Sequence, residues 1–262
     1  MMTEARDRVQ LDEDDFRRLR AYLAPHLFMP YEEDPNGYPP PCDLIDEGAW
    51  EGIMALPTDV ALRTSSYTGS EMARIKSLAS DWTFSWPNVE EGGTYMEETC
   101  LLAGEELDAL TFNAIHGYYR QAIACLRNAL EIMTVSASLA VTSNASLFAR
   151  WRGGQEISFG QARAWLRDSA DGRKLDAEVA PQSIFGDDPG AWLKESYARL
   201  GGYAHSQAGY NNADLWESNG PVYRPRALKV VEEELRETLA LLYLMMRLVV
   251  HPFSSGVVGG VS

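Results

Sequence analysis

"NAIHGYYRQAIACLRNALEIMTVSASLAV", residues 113–141, decides the fold class. At about 100° per residue around a helix, Ile115, Tyr119, Ala122, Ile123, Leu126, Ala129, Leu130, Met133 and Ala137 fall in one broad apolar sector. A single long helix buried along one side is the expectation. A second, "ALKVVEEELRETLALLYLMMRLVV" (227–250), begins acidic and stays apolar to its end beside His251-Pro252. "SFGQARAWLRDS" and "PGAWLKESYARLGG" lie between them, both with helical spacing. No alternating run of β-branched residues is long enough to read as a strand. The sequence therefore predicts an all-α chain, folded as a compact helical bundle over residues 95–252.

The upstream residues 1–94 read differently, as a helical and loop-rich extension. "MPYEEDPNGYPPPCD" (29–43) holds five of the 13 prolines around Asn36-Gly37, and such a run is neither helix nor central strand. Before it, "LDEDDFRRLRAYLAPHLF" places acids ahead of arginines, as a helix dipole favours. "DLIDEGAWEGIMAL" and "GSEMARIKSLASDW" read as short helices, and "WTFSWPNVEEGG" (82–93) as a closing loop. Residues 253–262 read as a flexible tail.

Composition narrows the function classes. A chain of 262 residues that is 45% hydrophobic has enough apolar material for a sizeable core. A net charge of −15 opposes any role that coats DNA or RNA by bulk attraction, while leaving room for a local basic site. Arginines and acids stand where a secretory signal would be apolar, and the run 239–250 is short for a bilayer and broken by Arg247. A cytoplasmic protein with no membrane partner and no DNA partner is expected. Cys42, Cys100 and Cys125 form no C-x-x-C pair, and His26, His116, His205 and His251 are scattered. With phosphate-loop, dinucleotide, zincin and serine-hydrolase motifs all missing, no metal and no cofactor is expected.

Two polar patterns remain. Asn113, His116, Arg120, Arg127, Glu131 and Thr134 fall within about 60° on the helical projection. They flank the apolar sector, at the rim of a helix–helix groove. Arg127 and Glu131, spaced i,i+4, read equally as a surface ion pair. The second pattern is "YARLGGYAHSQ" (197–207), with Arg199 six residues before His205. On a continuous helix these two point about 240° apart. Gly201-Gly202 offers a break that turns the chain and lets them converge, or a plain C-terminal cap.

An arginine followed four to six residues later by a histidine at a helix edge, in an all-α domain of this size, resembles the HEPN superfamily. "GYYRQAIACLRNALE" (117–131) is similar to the long helix that packs on the motif helix in that superfamily. The likeness covers about residues 95–250. It implies a metal-independent endoribonuclease or toxin of a bacterial defence or stress-response system, with Arg199 and His205 as the catalytic pair. In that chemistry a ribose 2′-OH attacks the adjacent phosphate; an imidazole moves the proton and a guanidinium holds the developing charge. Glu131, Arg127, Arg120, His116 and Tyr203 are auxiliary candidates. Tyr210, Asn211, Asn212 and Trp216, in "SQAGYNNADLWESNGPVY" (206–223), are candidates for stacking on and bonding an RNA base. The implied partners are a second copy in a homodimer, an RNA substrate, and an antitoxin or other defence-system protein. Leu200 stands where active members usually carry a polar residue, and two glycines lie inside the motif. A noncatalytic module that senses a ligand or binds a partner is therefore the alternative, beside a plain bundle with accidental Arg–His spacing.

Overall fold

The structure, a computed structural model, describes residues 47–84, 94–142, 145–179, 181–204 and 221–249. The chain divides into a unit of residues 1–57 and a second, Thr58–Ser262, which carries the fold described below. The described helices are α1 (Glu47–Tyr67), α2 (Gly69–Phe84), α3 (Thr94–Ile115), α4 (Tyr119–Val141), α5 (Ala145–Arg152), α6 (Phe159–Asp168), α7 (Ala170–Glu178), α8 (Trp192–Ala204) and α9 (Pro225–Val249). Among the described residues there is no strand, so the described part of the chain is all-α.

Helix α4 is the axis of the bundle, and the apolar sector read from its sequence is what it buries. Ala122, Ile123, Leu126, Ala129, Leu130, Met133 and Ala137 have no exposed surface. Each fully buried leucine or isoleucine stabilises the fold by about 1.5–3 kcal/mol relative to an exposed one. Around α4 pack α3, α9, α8 and α6, with α5 at its C-terminal end. Although α4 is long and apolar enough to cross a membrane, its apolar residues face the interior of this bundle.

The expected single helix over 113–141 is two. Asn113–Ile115 belong to α3, and the chain turns at His116–Gly117 before α4 begins. Gly117 has φ +79°. Its N–H bonds to Ala114 O at 3.2 Å and that of Tyr118 to Asn113 O at 2.8 Å, which satisfies the last carbonyls of α3. A Cβ at Gly117 would lie 2.2 Å from Val222 O, so both φ and close packing require glycine. A helical period runs through this turn unbroken, which is why periodicity alone joins the two helices.

The bundle also begins earlier than residue 95. Helix α2 contributes Ile75, Ala79 and Trp82 to the same core cluster as α4, and Trp82 Nε1 donates to Cys100 O at 3.1 Å. Helix α2 is bound to α9 by charge as well. Arg74 donates Nε and Nη2 to Glu232 at 2.8 and 3.1 Å, and Glu232 also accepts from Arg236 at 2.9 Å.

The approach to α8 is fixed by polar contacts. Ser158 caps α6 by accepting from Gln161 N, and Ser169 caps α7 by accepting from Gly172 N at 2.9 Å. Asp176 accepts from Ser183 Oγ (2.8 Å), Ile184 N (2.5 Å) and Phe185 N (3.2 Å). Arg163 donates to Phe185 O (2.8 Å), Gly186 O and Asp187. With Ile184 and Phe185 buried beneath these bonds, residues 181–191 deliver Trp192 to one place.

Candidate functional site

Helix α8 has two working faces. Trp192, Ser196 and Arg199, spaced i, i+4, i+7, lie on one; Leu193, Tyr197, Leu200, Gly201 and Ala204 lie on the other. The first face meets α9 and the second meets α4.

On the α9 side Arg199 is engaged by two carboxylates. Its Nε donates to Glu234 Oε1 at 2.7 Å and its Nη2 to Glu234 Oε2 at 3.1 Å, a bidentate pair. The same Nη2 lies 2.5 Å from Glu237 Oε2. Glu237 Oε1 also accepts from Ser196 Oγ at 2.7 Å and from Trp192 Nε1 at 2.8 Å. One guanidinium thus serves two carboxylates, and the local charge is net negative. The environment treats the carboxylates differently. Burial raises Glu234 above the usual carboxylate range, and its bonds to Arg199 only partly offset this. Burial acts on Glu237 in the same sense, but Arg199, Ser196 and Trp192 outweigh it and hold that carboxyl below the usual range. Burial also opposes the charge on Arg199, and the two glutamates overcome it, raising the guanidinium further.

On the α4 side Tyr197 joins the two residues that spacing read as an ion pair. Arg127 Nη2 donates to Tyr197 Oη at 2.7 Å, and Tyr197 donates to Glu131 Oε2 at 2.8 Å. The Arg127 guanidinium carbon lies over the Tyr197 ring, 4.7 Å from its centroid, and Phe159 stacks on that ring at 3.6 Å and 7°. Burial, then the bond to Glu131, pushes the phenol up to about 12. Arg127 Nε is buried with no acceptor among the described residues. A Cβ at Gly201 would sit 3.6 Å from that Nε, an ordinary contact.

Gly201-Gly202 does not break the helix, which runs on to Ala204. Two helical glycines cost about 1 kcal/mol each against alanine, and the burial of Leu200 and Gly202 with Tyr203 packed on the core offsets that. On an unbroken helix Arg199 points to α9, while Arg127 and Glu131 meet α8 at Tyr197. The expected approach of Arg127 or Glu131 to Arg199 is therefore not what the fold makes. Arg120 Nη2 donates to Ala204 O at 3.1 Å, capping the end of α8.

The remaining candidates are placed as follows. His116 bonds Phe112 O through Nδ1 at 2.8 Å and stacks on the Phe112 ring at 4.2 Å. Asn113 donates to Cys125 Sγ at 3.7 Å, and Thr134 is fully buried with its hydroxyl on Leu130 O at 2.6 Å. His205, Tyr210, Asn211, Asn212 and Trp216 lie outside the described residues. Both flanks of residues 205–220 are held by neighbouring residues at the start of α4. Arg120 binds Ala204 O, Tyr119 Oη accepts from Arg224 N at 3.0 Å, and Gly117 abuts Val222.

Sequence reasoning missed Glu234, Glu237, Ser196, Trp192 and Tyr197. A signal existed: two carboxylates three apart inside an apolar helix need a cation, and Arg199 shares a stripe with Trp192 and Ser196. Among the described residues no group of three or more His, Cys, Asp or Glu is placed to hold a metal ion. Compared with protein-family models, curated proteins and solved structures, the chain matches none of them.

Proposed function

We propose that this chain is a noncatalytic HEPN-like helical module that binds a partner protein in a bacterial defence or stress-response system. The observation that carries this reading is the double engagement of Arg199 by Glu234 and Glu237. A phosphate reaching that guanidinium would meet two carboxylates already bonded to its Nε and Nη2, one of them 7% exposed, and approach a net negative site. The overall charge of −15 works in the same direction for any RNA. The arginines of α4 support it too, since they bond Tyr197 and the end of α8.

The test is incubation of the purified chain with single-stranded RNA in chelator. The expected result is no cleavage by wild type, Arg199→Lys or His205→Ala. RNA products ending in a cyclic phosphate, formed by wild type and lost in both variants, would replace this reading with the ribonuclease.

A further inference from the structure

We infer that the outward face of α3 docks a basic amphipathic helix of a partner protein. Single exposed apolar side chains are ordinary on a protein surface; a set of them on one helical face is not. Leu101 is 49% exposed and Phe112 61%, and eleven residues apart they lie about 20° from each other around α3. Leu102, 40% exposed, lies about a quarter turn away around the helix. Glu105 and Asp108, the latter paired with Lys76, lie between Leu101 and Phe112 along the same face, both exposed.

Charge selects the occupant. Helix α3 carries Glu97, Glu98, Glu105, Glu106 and Asp108 and no lysine or arginine. Glu98 is answered by Arg152 at 2.6 Å and Asp108 by Lys76 at 3.1 Å. Glu97 and Glu105 are exposed and have no ion pair among the described residues. A second copy docking α3 on α3 would set each acidic face against its like, which is repulsive. An anionic lipid surface or a nucleic acid meets the same repulsion. A helix with leucines for the Leu101–Phe112 face and lysines or arginines beside them satisfies both features at once.

This inference rests on the binding-module reading, and its test separates the two. A labelled synthetic helical peptide of about three heptads, with a leucine seam flanked by lysine and arginine, is titrated with the full chain. A peptide with the same seam and glutamate flanks is the comparison. Fluorescence anisotropy is expected to show binding of the basic peptide only, weakened about tenfold or more by Leu101→Ser or Phe112→Ser. Glu105→Lys and a rise in salt from roughly 0.1 to 1 M should weaken it too. Leu62→Ser, which changes an exposed leucine on α1, should leave it unaltered.

Equal binding of both peptides, or indifference to Phe112→Ser, overturns the assignment. So does a wild-type dimer in sedimentation that Phe112→Ser dissociates, which would seat a second copy there. Should the peptide fail while RNA stays intact, the α3 assignment falls and the noncatalytic reading stands; cleaved RNA removes the latter whatever the peptide does.

Discussion

Replacing Arg199 by alanine removes one cation and leaves two carboxylates facing each other between α8 and α9. Breaking a buried pair from one side costs about 3–5 kcal/mol, because the partner's charge remains without compensation. Here the cost falls below that range, since the side chains of Arg199 and Glu237 are 23% and 33% exposed and water partly screens them. A loss of about 2–3 kcal/mol at neutral pH follows, which for a chain of this size lowers the melting temperature by roughly 4–12 °C.

The pH dependence carries the sign. Glu237 sits below its ordinary value in the fold, so its contribution is full above the unfolded pKa and is lost as pH falls through the folded one. Glu234 sits above its ordinary value, so its contribution is full below the unfolded pKa and is lost as pH rises through the folded one. Without Arg199 both carboxyls rise. The gap between wild type and Arg199→Ala should therefore narrow on acidification through the carboxylate range, where protonation removes the uncompensated charge. Adding Glu234→Gln to Arg199→Ala should recover about 1 kcal/mol or more at pH 7. Urea and thermal unfolding at neutral and acid pH measure all of this. A loss under about 1 kcal/mol, of the size expected for the exposed Lys76–Asp108 pair, would refute the idea that Arg199 ties α8 to α9. So would a gap that ignores pH.

Gly117→Ala should cost about 3 kcal/mol or more, since it meets both φ +79° and the Val222 carbonyl, while Gly160→Ala, with open space around it, should be neutral or mildly stabilising; chemical denaturation compares them. Tyr197→Phe removes the hydroxyl between Arg127 and Glu131 and should lower stability by about 1.5–3 kcal/mol, with the Phe159 stack preserved in the near-ultraviolet dichroism. Cys100 and Cys125 are buried, and burial pushes both thiols up to about 12, so site-resolved mass spectrometry should find them unlabelled by a thiol reagent until the chain unfolds.

What was legible in the sequence was what depends on a period. The buried sector of α4, the length of α9 and the helical spacing of α6 and α8 follow from period and local chemistry. What was not legible depends on where a second element lies. The turn at Gly117 leaves the helical period intact, and its φ of +79° and the Val222 backbone packed against it show why glycine is there. Gly201-Gly202 is the reverse case. A local breaker signal stays inside a helix because the packing of Leu200, Gly202 and Tyr203 outweighs two units of helix propensity. Arg127 and Glu131 were seen as a pair, but the tyrosine that joins them comes from a helix 66 residues further on from Glu131.

An arginine stripe at the rim of a helix looks the same in sequence whether it waits for a phosphate or holds a neighbouring helix. The distinction lies in what the acceptors are. In this fold Arg74 meets Glu232, Arg199 meets Glu234 and Glu237, Arg163 meets carbonyls of the 181–191 segment and Asp187, Arg127 meets Tyr197, and Arg120 meets the end of α8. Each of these cations is directed inward, at an acceptor that the chain itself supplies. On α3, by contrast, Glu97, Glu105 and Asp108 stand exposed. Arginines spent on joints within the chain are not free to grip a polyanion. The same distribution explains how a motif that reads as phosphate chemistry sits in a chain of such negative charge. Its arginine is neutralised twice over before any ligand arrives.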